Sequence, residues 1–262
     1  MEVVILPDAA AVGDAAAARI VEVVRAKPDA VLGLSTGSSP LGTYAALAER
    51  VRRGDVDLSR ASGFALDEYV GLPAGSPQSY AATIDREATG PLRMDPARVH
   101  VPPGAADDLD AACAEYERAI REAGGVDVQL LGIGANGHIG FNEPTSSFAS
   151  RTRIKTLAPR TREDNARFFG DDLDAVPLHC VTQGLGTILE ARRLLLVAQG
   201  EGKAAAVAAA VEGPLTAMVP ASALQLHPDA VVLLDEAAAS RLTLTDYYRF
   251  VVDNKPAWQR PE

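Results

Sequence analysis

Ala30-Val31-Leu32-Gly33-Leu34 is followed directly by Ser35-Thr36-Gly37-Ser38-Ser39-Pro40-Leu41, so a short apolar run breaks into small, hydroxyl-bearing residues and then into an alanine-containing stretch reaching Arg53. A buried strand, a tight loop and a helix account for that order. Pro40 suits the first helical turn, with Ser39 as its cap. The same succession recurs outward in both directions. Strands are expected at Val3 to Leu6, Gly63 to Leu66, Val126 to Gly132, Arg193 to Ala198 and Ala230 to Leu234. Helices are expected at Ala15 to Ala26, Leu41 to Arg53, Leu109 to Ala123, Lys203 to Val211 and Ala221 to Leu226. Parallel neighbours need crossover connections, and helices supply them. The expected class is therefore α/β: a doubly wound, mostly parallel sheet with helices on both faces, Rossmann-like and three-layered. Strands that are apolar throughout agree, because both sheet faces would be buried.

With 262 residues, 47% of them apolar, the chain can build one large core, and a single catalytic domain over 1–262 is expected. Cys113 and Cys180 lack metal-ligand spacing, which points away from a disulfide framework or zinc cluster and towards a reducing compartment. The first residues lack the basic start and long apolar stretch of a signal peptide. The longest apolar run, Ala204 to Val211, is far shorter than the roughly 18 residues a membrane span requires. A cytoplasmic location and no membrane partner are expected. The net charge is −10, and no cluster of Lys and Arg marks a nucleic-acid surface. An anionic substrate would then need locally placed donors. The tail Lys255 to Glu262 is expected to fray.

In a doubly wound sheet, ligands bind beyond the carboxyl ends of the strands, near the switch in strand order. The loop Ser35-Thr36-Gly37-Ser38 offers backbone N–H groups and hydroxyls at a helix start, a setting for a phosphate. It lacks the lysine of a nucleotide loop and the spacing of GxGxxG, so a simple phosphomonoester fits better than ATP or a dinucleotide. Leu66-Asp67-Glu68-Tyr69 sets two carboxylates at a strand end, where partial burial would raise a pKa towards neutrality and make a base. The bland alternative is a pair of solvated loop acids. The segment Gly132 to Pro144 is glycine-rich and carries Asn136, His138 and Glu143, with His138 and Glu143 as an acid/base pair. No second histidine or cysteine stands at ligand spacing, so no metal and no cofactor is expected. Arg167 and Lys203 are candidate phosphate anchors, with solvated surface charge as the plain alternative. His100, His179 and His227 read as structural.

Together these segments resemble the glucosamine-6-phosphate deaminase (glucosamine-6-phosphate isomerase) family over nearly the whole chain. The resemblance rests on Ser35 to Pro40, Leu66 to Leu72, Gly137 to Pro144, Ser150 to Thr156 and Val211-Glu212-Gly213. It implies isomerisation and deamination of glucosamine-6-phosphate to fructose-6-phosphate and ammonia, an isomerising hydrolase of amino-sugar catabolism whose partner is a small sugar phosphate. Asp67 would move the proton from C2 to C1, and His138, partnered by Glu143, would open the sugar ring. Ser35, Thr36, Gly37, Ser38, Arg167 and Lys203 would hold the phosphate. Many members carry aspartate where this chain has Asn136; an amide can still orient the imidazole but supplies no charge, so the histidine pKa should be lower. Some hexameric members bind an N-acetylated sugar phosphate between subunits through residues similar to Ser146, Ser147, Arg153 and Lys155, so an effector site and a homo-oligomer are carried as expectations. The segment Thr161 to Pro177 is expected to form a lid carrying Arg167. The rival readings are a 6-phosphogluconolactonase-like hydrolase and a non-catalytic sugar-phosphate sensor. The first does not carry Phe141-Asn142-Glu143-Pro144 after its histidine, and the second has no use for Asp67 with His138.

Overall fold

A computed structural model describes residues 1–73 and 75–256. The chain opens with β1 (Glu2–Leu6), α1 (Ala9–Ala26), β2 (Val31–Leu34), α2 (Leu41–Arg53), β3 (Ser62–Ala65), β4 (Asp67–Tyr69), α3 (Tyr80–Ile84) and β5 (Val99–His100). Next come α4 (Leu109–Glu122), β6 (Val128–Leu131), β7 (Arg153–Thr156), α5 (Pro159–Ala166), β8 (His179–Thr182) and α6 (Leu185–Leu189). After them stand β9 (Leu194–Ala198), α7 (Ala204–Val211), β10 (Ala230–Asp235) and α8 (Thr245–Asp253).

A 7-stranded sheet runs in the order β1-β10-β9-β6-β2-β3-β5, with every pairing parallel. Successive residues of β9 alternate between two apolar cores. Leu194, Leu196 and Ala198 pack with Tyr116, Ile120 and Val207 from α4 and α7. Leu195 and Val197 pack with Val12, Ile20 and Leu47 from α1 and α2. Burial on both faces is why β9 is an unbroken apolar run. On the second face α1 and α2 touch through backbone, for a Cβ on Gly13 would lie 2.6 Å from the Gly42 carbonyl carbon.

The direction of winding reverses between β2 and β6. From β2 the chain proceeds through β3 to β5 at one edge, then returns to β6 and proceeds through β9 and β10 the other way. The loops that follow β2 and β6 therefore flank the crevice such a reversal opens at the carboxyl ends of the strands.

Several local expectations need correcting. The α1 helix begins at Ala9, not Ala15, because Asp8 caps it, accepting from the Ala11 N–H at 2.8 Å. Ser39 is no cap: Pro40 occupies the capping position of α2 and no side chain bonds the first turn. Lys203 lies in a 3₁₀ turn, Glu201–Lys203, ahead of α7, and Pro220–Leu226 is a 3₁₀ helix where an α-helix was expected. Lys255, expected to fray, pairs with Glu2 on β1; Ala257 to Glu262 of that tail lie outside the described residues. The largest departure is a second sheet, 3-stranded and antiparallel in the order β4-β8-β7. Its strands carry polar residues, and β7 alternates between half-buried and exposed, so no apolar run announces them. Beneath it Tyr69, Phe141, Leu157, Ala166, Val176 and Cys180 form a third apolar cluster, onto which the 161–177 segment packs through Ala166 and Val176. Among the described residues no helix is long and apolar enough to cross a membrane.

Candidate active site

The loop after β2 is pinned to α2 through one phenol. The Ser35 N–H donates to the Tyr44 hydroxyl at 3.1 Å, and that hydroxyl donates to the Ser35 carbonyl at 2.8 Å. Among the described residues, the N–H groups of Thr36, Gly37 and Ser38 donate no hydrogen bond. Gly37 takes a φ of 94°, a left-handed backbone that favours glycine. Free donors at the start of a helix are an arrangement that suits an anion. Lys203 faces this loop from the end of β9 and donates from Nζ to the Ile133 carbonyl at 2.8 Å; burial holds its pKa below the ordinary value. Arg167, exposed at the end of α5, lays its guanidinium over the Phe168 ring at 4.7 Å from the centroid.

Asp67 begins β4, where pairing with Thr182 of β8 buries it to 6% exposure. The Phe141 N–H donates to its Oδ1 at 2.9 Å. A Cβ on Gly140 would come within 3.2 Å of that oxygen, and Gly140 itself adopts a φ of 55°. Burial pushes the Asp67 carboxyl up to about 7, against hydrogen bonds from Thr182 and Phe141 that pull it down, while Glu68 adds to the rise. Glu68 is also buried, so neither residue is a solvated loop acid. It has a separate task. Its carboxylate accepts from the Tyr69, Tyr80 and Ala81 N–H groups at 2.8, 2.9 and 2.9 Å, holding the start of α3.

His138 lies flat on its own loop. A Cβ on Gly134 would fall 2.2 Å from the His138 Cε1, so only glycine leaves room for the ring. The ring Nδ1 is buried without a hydrogen bond, 3.8 Å from Glu143 Oε2. Burial holds the imidazole below its ordinary pKa, opposed by Glu143 and Asp164 and reinforced by Lys203. Asn136 does not orient the ring, contrary to expectation. Its Oδ1 accepts from the His138 backbone N–H at 3.2 Å and its Nδ2 donates to Glu143 Oε2 at 2.7 Å. The amide thus shapes the loop and holds the carboxylate, because the tight turn at Gly137 brings backbone, not ring, within its reach.

Asp67, His138, Lys203, Arg167 and the Ser35–Ser38 loop all line one cavity. Asn136 and Glu143 do not line it; they support His138 from the protein side. Tyr80, Thr161, Asp164 and Asn165 also line the cavity, and sequence reasoning passed over them. Only the polar run Thr161 to Asn165 hinted at the last three. Away from the cavity, Arg153 Nη2 donates to Ser146 Oγ at 3.3 Å. Ser147 accepts from the Ala149 N–H at 3.2 Å within a local turn, and Lys155 lies two residues along β7. Of the other histidines, His227 Nε2 sits 2.7 Å from the Ala191 carbonyl and His100 stacks on Phe64 at 4.7 Å.

A doubly wound sheet whose switch point gathers a buried carboxylate, an imidazole and an anion-binding end defines an enzyme of proton-transfer chemistry on a small anionic molecule. The chain belongs to the family described as glucosamine-6-phosphate isomerases/6-phosphogluconolactonase, which it matches over residues 7–233. A glucosamine-6-phosphate deaminase of Pseudarthrobacter chlorophenolicus is 61% identical over 259 residues, covering 99% of both chains. One of Mycolicibacterium smegmatis is 59% identical over 259 residues, again covering 99% of both. A solved structure of a monomeric glucosamine-6-phosphate deaminase is similar with a TM-score of 0.89 and 42% identity, covering 92% of this chain and 100% of that one.

Proposed function

We propose that this protein converts glucosamine-6-phosphate to fructose-6-phosphate and ammonia, using the carboxylate of Asp67, the imidazole of His138 and the cationic end of one cavity. The observation that carries the reading is that these groups, distant in sequence, open onto the same space. The phosphate binds the Thr36 to Ser38 N–H groups at the head of α2, with Lys203 and Arg167 supplying positive charge. That anchoring sets the sugar's C1 and C2 between Asp67 and His138.

The chemistry then runs in order. His138, kept neutral by burial, takes the anomeric hydroxyl proton and delivers one to the ring oxygen, opening the ring to an aldehyde. Glu143 opposes the imidazolium's charge while it exists. Only with C1 a carbonyl does the C2 proton become acidic. Asp67 removes it and returns it to C1, while one proton of the C2 ammonium passes to the C1 oxygen, so the enol gives a C1 hydroxyl and an iminium at C2. Water adds to C2, and ammonia departs as the ketone forms. A carboxyl with a pKa near 7 is matched to such a transfer, since it is basic enough to take the proton and acidic enough to give it back.

The family description also covers 6-phosphogluconolactonase activity. Hydrolysis of that ester needs one base to activate water and gives Asp67 no proton to carry between carbons. Buried, unpaired Cys113 and Cys180 suit a reducing, cytoplasmic setting for such an enzyme. The test is ammonia release from glucosamine-6-phosphate, with Asp67→Asn as control, alongside acid release from 6-phosphogluconolactone. Acid release without ammonia would overturn the reading.

A further inference from the structure

Glu143 is the pivot between His138 and the lid segment. Three donors hold its carboxylate. Asn136 Nδ2 reaches Oε2 at 2.7 Å, while the Ala158 N–H and the Thr161 hydroxyl reach Oε1 at 3.3 and 2.5 Å. Thr161 is 3% exposed, and it lies in α5, the helix that leads directly into Arg167. With these bonds in place, Oε2 stands 3.8 Å from His138 Nδ1, beyond hydrogen-bond distance, and Nδ1 has no other partner.

We propose that Thr161 is a positioning residue for the ring-opening histidine: its hydroxyl restrains Glu143 so that the carboxylate faces the imidazole without bonding it. The inference rests on the proposed role of His138 and adds a part that the lid helix contributes. At 3.8 Å the carboxylate favours imidazolium by charge alone. Were it to close onto Nδ1, a charge-assisted hydrogen bond would favour imidazolium further and leave less neutral base at pH 7. The other charged groups that act on the ring are Lys203, from the turn before α7, and Asp164, from α5. Neither bonds Glu143, so removing the Thr161 hydroxyl changes one restraint and leaves these charges in place. Because α5 also ends in Arg167, the position of the phosphate-binding arm and the basicity of the imidazole are tied through one side chain.

The test is a ring-proton NMR titration of His138, identified among the four histidines by its loss in His138→Gln. Thr161→Val removes the hydroxyl at nearly constant shape and should raise the His138 pKa by about half a unit or more; Thr161→Ala repeats the deletion if valine is not accommodated. Thr161→Ser keeps the hydroxyl and should titrate as the parent does. The acid limb of kcat/KM for ammonia release should move upward in the valine variant and stay in place in the serine variant. An unshifted His138 titration in both deletion variants would overturn the proposal, and so would equal shifts in the serine and valine variants. Since the titration needs no turnover, it separates failure of this inference from failure of the proposed activity.

Discussion

Replacing Asp67 by asparagine should abolish ammonia release and yet make the protein more stable above neutral pH. Burial moves this carboxyl from 3.8 to about 7, a rise of roughly three units. At about 1.36 kcal/mol per unit, keeping it ionised in the folded state costs about 4 kcal/mol. The sign follows from proton counts. Between 3.8 and about 7 the folded protein holds a proton that the unfolded chain has released, so this group's contribution to stability falls as pH rises through that window. Asparagine carries no charge to bury, and its Oδ1 can still accept from the Phe141 N–H that now bonds Asp67. Unfolding free energy at pH 8 should therefore rise by roughly 2–4 kcal/mol, the lower figure allowing for an imperfectly paired amide NH₂. The gain should shrink below pH 7 and vanish near pH 4. Urea titrations followed by circular dichroism at pH 4, 6 and 8 measure it. A variant no more stable than the parent at pH 8, or one whose gain is the same at pH 4, would refute the argument that burial sets this pKa.

Gly134→Ala places a Cβ 2.2 Å from the His138 ring; the imidazole must move, and kcat/KM should fall by about 100-fold or more while the circular dichroism spectrum stays native. Lys203→Met keeps the stem and removes the charge, so KM for the sugar phosphate should rise by roughly 10- to 100-fold, the value of one charge-assisted hydrogen bond, with a smaller change in kcat. Asn136→Asp sets a second carboxylate beside Glu143 and should raise the His138 pKa, moving the acid limb of the pH-rate profile upward; superimposable profiles would show that position to be electrostatically silent.

Six strands of the parallel sheet were legible because stretches such as Leu194 to Ala198 and Ala230 to Leu234 are buried on both faces and so are apolar at every position; the two-residue edge strand β5, Val99–His100, was too short to show. The Ser35–Ser38 loop and the His138 loop stood out for a related reason: each joins glycines to polar residues directly after such an apolar strand. The β4-β8-β7 sheet was not legible, since its strands are short, carry polar residues in place of an apolar run, and are held by pairing with partners far along the chain. Nor could the pattern show that Glu68 accepts from the first N–H groups of α3 while its neighbour Asp67 faces the cavity, or that Asn136 bonds a backbone and a carboxylate instead of the ring.

The sequence by itself determined which residues carry acid, base and charge, and that they follow the ends of parallel strands, because hydrophobic period and turn chemistry are local. Only the tertiary structure decided that Asp67 is buried enough to titrate near neutrality and that Thr161 of a distant helix bonds Glu143. Those are properties of distance and desolvation, created when segments separated along the chain exclude water from one another.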